Sequence, residues 1–353
     1  MTTSPPSLAA PVRLLYIFRK PNSGFSIEGL FAQLSEHVGT QRTYAVERAY
    51  LPHMTLRPRN LWANLRMARQ QRADIYHITG DVHYLMLALP PARTVLTIHD
   101  CVSLRRLRAS GSRLRYGLLW WLFYYLPMRR AMYITTVSEK SKRELAQFVG
   151  SRLAEKVRVV PNHVNPRFRA AAGRFNEQCP TVLQVGTNTH KNLLRLVDAL
   201  AGMACKLVVI GRLSDEQQAH LRAANLDYVA KERLTDEAML AEYERCDLVA
   251  FVSTYEGFGL PILEANAVGR PVLTADIAPL REVAGDAGCL VDPHSVSSIR
   301  AGLQRLMTDA AYRAQLIQAG YSNVASYELN AVSKQYQALY DLIAKENNGG
   351  KID

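Results

Sequence analysis

Short apolar runs recur along the chain and alternate with stretches of helical period. In the first half the runs are Val12–Phe18 (VRLLYIF), Asp74–Thr79 (DIYHIT), Thr94–His99 (TVLTIH), Tyr133–Val137 (YITTV) and Val157–Val160 (VRVV). Each is four to seven residues long and rich in β-branched or aliphatic side chains, which predicts buried strands. Between them lie amphipathic patterns such as Gly29–Val38 and Ser138–Val149, the second opened by Ser138 as an N-cap. The second half repeats the arrangement, with strands expected at Thr181–Val185, Lys206–Ile210, Leu248–Ser253 and Pro271–Thr274.

Strands that are apolar almost throughout, separated by helices, imply parallel sheets covered on both faces. Two such sets predict an α/β protein of two doubly wound domains, within the size range of ordinary domains for 353 residues. The expected boundaries are a disordered tail at 1–10, a first domain at 11–165 and a linker at 166–179. A second domain follows at 180–327, then a helix at 328–346 packing back on the first domain, and a flexible end at 347–353. In open parallel sheets ligands bind beyond the carboxyl ends of the strands, so two facing domains would hold a ligand in the cleft between them.

Charge changes this picture unevenly. Up to Asn165 there are 24 Lys and Arg against 9 Asp and Glu; from Pro166 onward there are 19 against 22. The net charge of +12 thus belongs to the first half, which fits an anionic membrane, a phosphorylated substrate or nucleic acid. Seven arginines of 105–130 flank an apolar aromatic centre, Leu118–Leu126 (LLWWLFYYL). That run is too short to span a bilayer. Its composition suits the headgroup region of an anionic membrane, where a lipid-linked acceptor would be met, and equally a buried core helix with solvated ends.

Candidate chemistry gathers after the strands of the second half. In Glu256–Val272 (EGFGLPILEANAVGRPV) two carboxylates stand eight positions apart around a Gly-Phe-Gly turn. Gly257 and Gly259 allow a tight bend and close approach of backbone to ligand, so Phe258 and Leu260 join the candidate binding turn. Pro261 suits a helix start, whose free N–H groups attract anions and polar oxygens. Glu264, one turn into that helix, offers two acceptor oxygens to the hydroxyls of a ribose diol, and Glu256 offers the same to a second sugar. Lys191 opens another helix after the Gly186–Thr187 turn, where a pyrophosphate would meet both a cation and helix N–H groups. Arg212 follows a further strand as a second candidate cation. In the first half His99 and Asp100 close one strand, Asp81 and His83 follow another, and Gly24 lies in the first strand-to-helix loop; His99, with Glu256, is a catalytic candidate, and Gly24, Asp81, His83 and Asp100 are acceptor-side candidates.

The stretch 256–273 resembles the signature of retaining GT-B glycosyltransferases of the family 4 type. The resemblance continues through 183–200 (LQVGTNTHKNLLRLVDAL), 157–168 (VRVVPNHVNPRF), 94–100 (TVLTIHD), 134–145 (ITTVSEKSKREL) and 234–253 (LTDEAMLAEYERCDLVAFVS). It implies two Rossmann-like domains and transfer of a sugar from a nucleotide-sugar to a glycan or polyprenyl-linked acceptor, with retention, as a hexosyltransferase of surface polysaccharide assembly. It also implies that the two glutamates and Lys191 bind the donor and that His99 lies beside the transferred sugar. Many members carry an arginine soon after the loop glycine; here Thr187 stands there, with His190 directly before Lys191. A non-catalytic relative, and an epimerase or phosphorylase on the same fold, are the alternatives.

Several classes are excluded by what is missing from the sequence. There is no Asp-x-Asp, no His-Glu-x-x-His and no Cys/His cluster, so no metal or other cofactor is expected. No dinucleotide fingerprint, phosphate-loop motif or nucleophile elbow occurs, and no nucleic-acid module is visible. The five cysteines are scattered without C-x-x-C spacing, as in a reducing compartment. With no signal-peptide pattern at the start, the expected place is the cytoplasm, at the inner face of the membrane.

Overall fold

The computed structural model describes residues 10–20, 26–54, 57–109 and 111–348, apart from the side chains of 26, 106, 107 and 348. The chain divides into two compact units, cut at Pro161/Asn162 and again at Ala331/Val332. The first unit takes the chain up to Pro161 together with the stretch from Val332; the second is Asn162–Ala331.

In the first unit β1 (Val12–Phe18), β2 (Tyr44–Tyr50), β3 (Ile75–Ile78), β4 (Thr94–Ile98), β5 (Tyr133–Thr136) and β6 (Val157–Val159) form one sheet, ordered β2-β1-β3-β4-β5-β6. Every pairing is parallel. In the second, β7 (Thr181–Val185), β8 (Lys206–Ile210), β9 (Asp227–Lys231), β10 (Leu248–Phe251), β11 (Val272–Ala275) and β12 (Cys289–Val291) are ordered β12-β11-β10-β7-β8-β9, again all parallel. These are the two doubly wound arrangements, with strand order reversing between β1 and β3 and between β7 and β10, where ligands of such sheets bind.

All nine expected strands form. The three that sequence pattern missed are β2, β9 and β12. The first two are sheet edges carrying Glu47 and Arg48, or Asp227 and Lys231, exposed or half-buried. An edge strand keeps one side in water and so lacks a continuous apolar run. β12 has only three residues. Ser138 caps its helix as expected, its Oγ accepting the Ser141 N–H at 3.1 Å.

The stretch expected as a linker, 166–179, packs on the second unit. The N–H of Ala171 donates to the Val268 carbonyl, Phe168 packs edge-on against Tyr243, and Arg313 pairs with Glu177. The final helix, Leu329–Asn348, starts in the second unit and then covers the first sheet. Its buried Tyr336, Tyr340 and Ile343 lie over that sheet. Tyr340 Oη is 2.9 Å from Tyr16 Oη and 2.7 Å from His77 Nδ1, and His77 Nε2 is 2.7 Å from Thr97 Oγ1. The helix therefore fastens through a buried polar network as well as an apolar face. Expected tail positions 1–9 and 349–353 lie outside the described residues, as does Gly24.

Candidate functional site

The second unit brings its candidates together at the β7/β10 switch point. After β7 the chain turns at Gly186, whose φ of +90° is open to glycine far more readily than to any other residue. The Lys191 side chain lies across it; a Cβ there would stand 2.9 Å from Lys191 Cε. The loop is held by three contacts. Thr187 Oγ1 donates to the Arg212 carbonyl at 2.7 Å, Gln217 Nε2 donates to the Thr187 carbonyl at 2.7 Å, and Gln184 Nε2 donates to the Lys191 carbonyl at 3.0 Å. Thr187 and Arg212 are thus joined through backbone, and the Arg212 side chain is exposed.

Asn192, which sequence reasoning passed over, is buried in the left-handed conformation at the start of the helix Leu193–Leu200. Its Nδ2 donates to the carbonyls of Val252 and Pro293 at 3.0 and 2.7 Å. The N–H of Thr254 donates to the His190 carbonyl at 2.8 Å. These bonds tie the loop after β7 to the loop after β10. Lys191 Nζ consequently donates to Glu256 Oε1 at 2.6 Å and sits 4.6 Å from the centre of the Phe251 ring.

Beyond Glu256 the turn needs its second glycine. Gly259 has φ +127°, and a Cβ there would come within 2.7 Å of Leu280 Cδ2. Phe258 is buried with its ring against Tyr327, so its side chain is structural and only its backbone is available to a ligand. The helix runs Leu260–Val268, placing Pro261 second rather than first; its missing N–H still costs nothing in the opening turn. Glu264 lies one turn in and is partly buried. Its Oε2 accepts from Tyr243 Oη at 2.5 Å. Burial pushes the Glu264 carboxyl up to about 7, against the opposing pull of the Tyr243 hydroxyl and the Lys191 charge.

The first unit arranges its candidates at the ends of β1, β3 and β4. His99 is buried with its Nε2 2.8 Å from the Thr79 carbonyl. A carbonyl can only accept, so Nε2 carries a proton and donates it. Asp100 Oδ1 accepts the Val102 N–H at 2.9 Å, and burial raises its carboxyl above the usual range. Asp81 is half-exposed, 3.5 Å from Arg19 Nη1. His83 turns inward, with Nδ1 2.9 Å from the Phe123 carbonyl and its ring edge-on to Tyr124. Arg19 was not legible as part of this group. It pairs with Glu28 at 2.5 Å and lies across Gly80, where a Cβ would meet it at 2.7 Å. The glycine of the Gly80–His83 stretch is needed for this close approach.

The arginine-rich segment is helical but divided between two environments. Helix Arg113–Leu119, a wider π-type turn Trp120–Tyr125 and helix Leu126–Arg130 follow one another. Phe123, Tyr124 and Met128 are buried in the core, whereas Leu114, Leu118 and Trp121 are exposed at 90%, 63% and 47%. Arg113, Arg115, Arg129 and Arg130 are exposed as well. The spacing 114, 118, 121 follows one helical face. Neither a fully buried core helix nor a fully exposed one describes it. Among the described residues no helix is long and apolar enough to cross a membrane.

Comparison with known proteins accounts for both units. Residues 26–168 match the model of Glycosyltransferase Family 4, and residues 167–323 match that of glycosyl transferases group 1. Over 94% of its length the chain superposes on sucrose-phosphate synthase of Thermosynechococcus elongatus with a TM-score of 0.75 at 16% identity, covering 99% of that chain. It superposes on WaaG, a glycosyltransferase of lipopolysaccharide biosynthesis, with a TM-score of 0.69 at 15% identity, covering 94% of this chain and 99% of the other. At these identities the likeness speaks for the fold, which is GT-B.

The chain belongs to the family-4-type glycosyltransferases. In sequence it is 32% identical over 124 residues to the serotype-specific mannosyltransferase WbdA of Escherichia coli, 33% of this chain. It is 28% identical over 231 residues to phosphatidyl-myo-inositol mannosyltransferase of Mycobacterium leprae, 61% of this chain. The chain spans 15% of the length of the first and 60% of that of the second.

Proposed function

We propose that this protein transfers a hexose from a nucleotide-sugar to a glycan or lipid-linked acceptor, with retention and without a metal, in the assembly of a bacterial surface polysaccharide. The observation that carries the reading is the convergence of Lys191, Glu256 and Glu264 at the β7/β10 switch point.

On this reading Glu264 accepts the ribose hydroxyls and Lys191 meets the diphosphate. Glu256, with the backbone of 257–260 and of Gly186–Thr187, holds the sugar. The bond between the anomeric carbon and the diphosphate oxygen breaks, the acceptor oxygen bonds to that carbon in its place, and the acceptor's hydroxyl proton passes to the departing diphosphate. Charge building on the departing diphosphate is met by Lys191 and the free N–H groups of nearby helix starts, an electrostatic role that asks for no metal. Lys191 and Glu256 pair with one another; on this reading the donor's diphosphate engages the lysine and its sugar hydroxyls engage Glu256. The acceptor is assigned to the first unit, around His99, Asp81 and Asp100. Arg212, exposed beside the Thr187 loop, serves as an auxiliary cation.

Mannosyltransferases among the relatives, and HepE of Anabaena, solved in complex with UDP-glucose, support a hexose donor. The exposed Leu114, Leu118 and Trp121 among arginines support peripheral contact with an anionic membrane at the cytoplasmic side.

A thermal-shift screen of nucleotide-sugars tests the donor site. One donor class should raise the melting temperature of the parent, and Glu264→Ala should lose most of that rise. Equal shifts in both would remove Glu264 from the site. Turnover of labelled donor, with product analysis, separates a transferase from a non-catalytic binder, an epimerase or a phosphorylase.

A further inference from the structure

We infer that Tyr243 is a positioning residue for donor binding: its buried hydroxyl orients the Glu264 carboxylate and keeps it in its accepting form. The inference rests on the reading of Glu264 as the ribose ligand and adds to it a residue from the helix that precedes β10.

Tyr243 lies on the helix Asp236–Arg245 and is fully buried. A carboxylate that must accept two hydroxyls at once has to present its oxygens in one plane at one angle. A free glutamate on a helix has three rotatable bonds, and its ordering would be charged against binding. The 2.5 Å bond from Tyr243 Oη to Glu264 Oε2 restricts that freedom.

Tyr243 is itself held from several sides. Phe168 packs edge-on to its ring at 5.2 Å. Arg270, also buried, donates from Nε to the Tyr243 carbonyl at 3.2 Å and from Nη2 to the Glu244 carbonyl at 2.5 Å. Burial and the adjacent carboxyl raise the phenol well above its ordinary range. It therefore remains a donor at every working pH, and a donor favours the carboxylate over the carboxylic acid.

The groups that bias Glu264 can be enumerated by sign. Burial opposes ionisation, and Asp236 at the start of the same helix as Tyr243 opposes it too. The Tyr243 hydroxyl and Lys191, itself paired with Glu256, favour it. Removing the hydroxyl deletes the larger of the two favourable contributions and moves protonation of Glu264 to higher pH. A protonated Glu264 has lost acceptor capacity, so donor binding should weaken near neutrality and recover in alkali.

The test is the pH dependence of donor affinity between pH 5.5 and 9, measured by calorimetry with UDP-glucose and GDP-mannose, whose diphosphate diesters do not titrate there. The parent should bind one of them with a midpoint near neutrality. Tyr243→Phe, which keeps the ring and its packing, should move that midpoint up. At pH 6.5 it should weaken affinity by about tenfold, as follows when the midpoint rises by about one pH unit, and at pH 9 by less than about threefold. Glu264→Gln should bind weakly and without this midpoint. The 2′,3′-dideoxy analogue of the binding donor should show no difference between parent and Tyr243→Phe.

If Glu264→Gln binds like the parent, the ribose reading itself falls. If Glu264→Gln is weak but Tyr243→Phe keeps the parental midpoint, Tyr243 is only a packing residue and the present inference alone is overturned. Equal weakening by Tyr243→Phe at all pH values, or on the dideoxy analogue as well, would also overturn it.

Discussion

Lys191 Nζ and Glu256 Oε1 lie 2.6 Å apart, one from the loop after β7 and the other from the loop after β10, both side chains less than one-fifth exposed. The pair spans the point where the strand order of the second sheet reverses. On the proposed reading this cation and anion meet the diphosphate and the sugar of the donor. Lys191→Met, which keeps the stem over Gly186, should lower kcat/KM for the donor by about 10²–10³-fold, the usual scale for loss of one stabilising group at a developing charge. Rates with labelled donor, read beside an unchanged circular dichroism spectrum, check this.

Gly259→Ala should destabilise the second unit by about 1–3 kcal/mol, since φ +127° is a strained setting for alanine and the new methyl meets Leu280. Chemical denaturation measures this. Gly117→Ala is the control: it lies in a helix with nothing within 4 Å of a new Cβ, and should be neutral or slightly stabilising.

His77 couples the final helix to the first sheet and makes stability depend on pH. Burial lowers its pKa from 6.5 to about 3. An imidazole whose folded pKa is depressed binds its proton in the unfolded chain first. Its contribution is complete above about pH 6.5 and declines as pH falls toward 3, at up to about 1.4 kcal/mol per pH unit. His77→Gln should therefore show a shallower loss of stability than the parent between pH 6 and 4 in urea titrations. Carboxylate titrations are common to both proteins and cancel in the comparison.

Tyr340→Phe leaves His77 Nδ1 and Tyr16 Oη without their shared partner inside the core. A loss of about 1–3 kcal/mol is expected, the cost of orphaned buried polar groups. Ending the chain at Ala331 should expose the face that Tyr336, Tyr340 and Ile343 cover, and the first unit should become sensitive to limited proteolysis.

Trp121→Glu, and Arg129→Glu with Arg130→Glu, should each reduce flotation with vesicles containing anionic lipid, and should leave turnover of a water-soluble acceptor within about twofold. Vesicles of neutral lipid should bind the parent poorly. Unchanged flotation of both variants on anionic vesicles would remove this segment from the membrane contact.

Residue order by itself determined a good part of this protein. Eight central strands were legible because burial on both faces leaves them mostly apolar, and the edge strand β6 was legible from its short run of valines. The glycine turn between Glu256 and Glu264, and the Gly186 turn before Lys191, were legible because their backbone bends demand glycine within a few positions. The edge strands β2 and β9 were hidden, since partial solvation makes an edge look like a loop. The tertiary structure alone decided which distant residues touch: Tyr243 with Glu264, Asn192 with the carbonyls of Val252 and Pro293, Arg19 across Gly80, His77 with Tyr340. The physical reason is the same in each case. A hydrogen bond between side chains far apart in sequence depends on how helices and sheets stack, and that stacking leaves no period in the sequence.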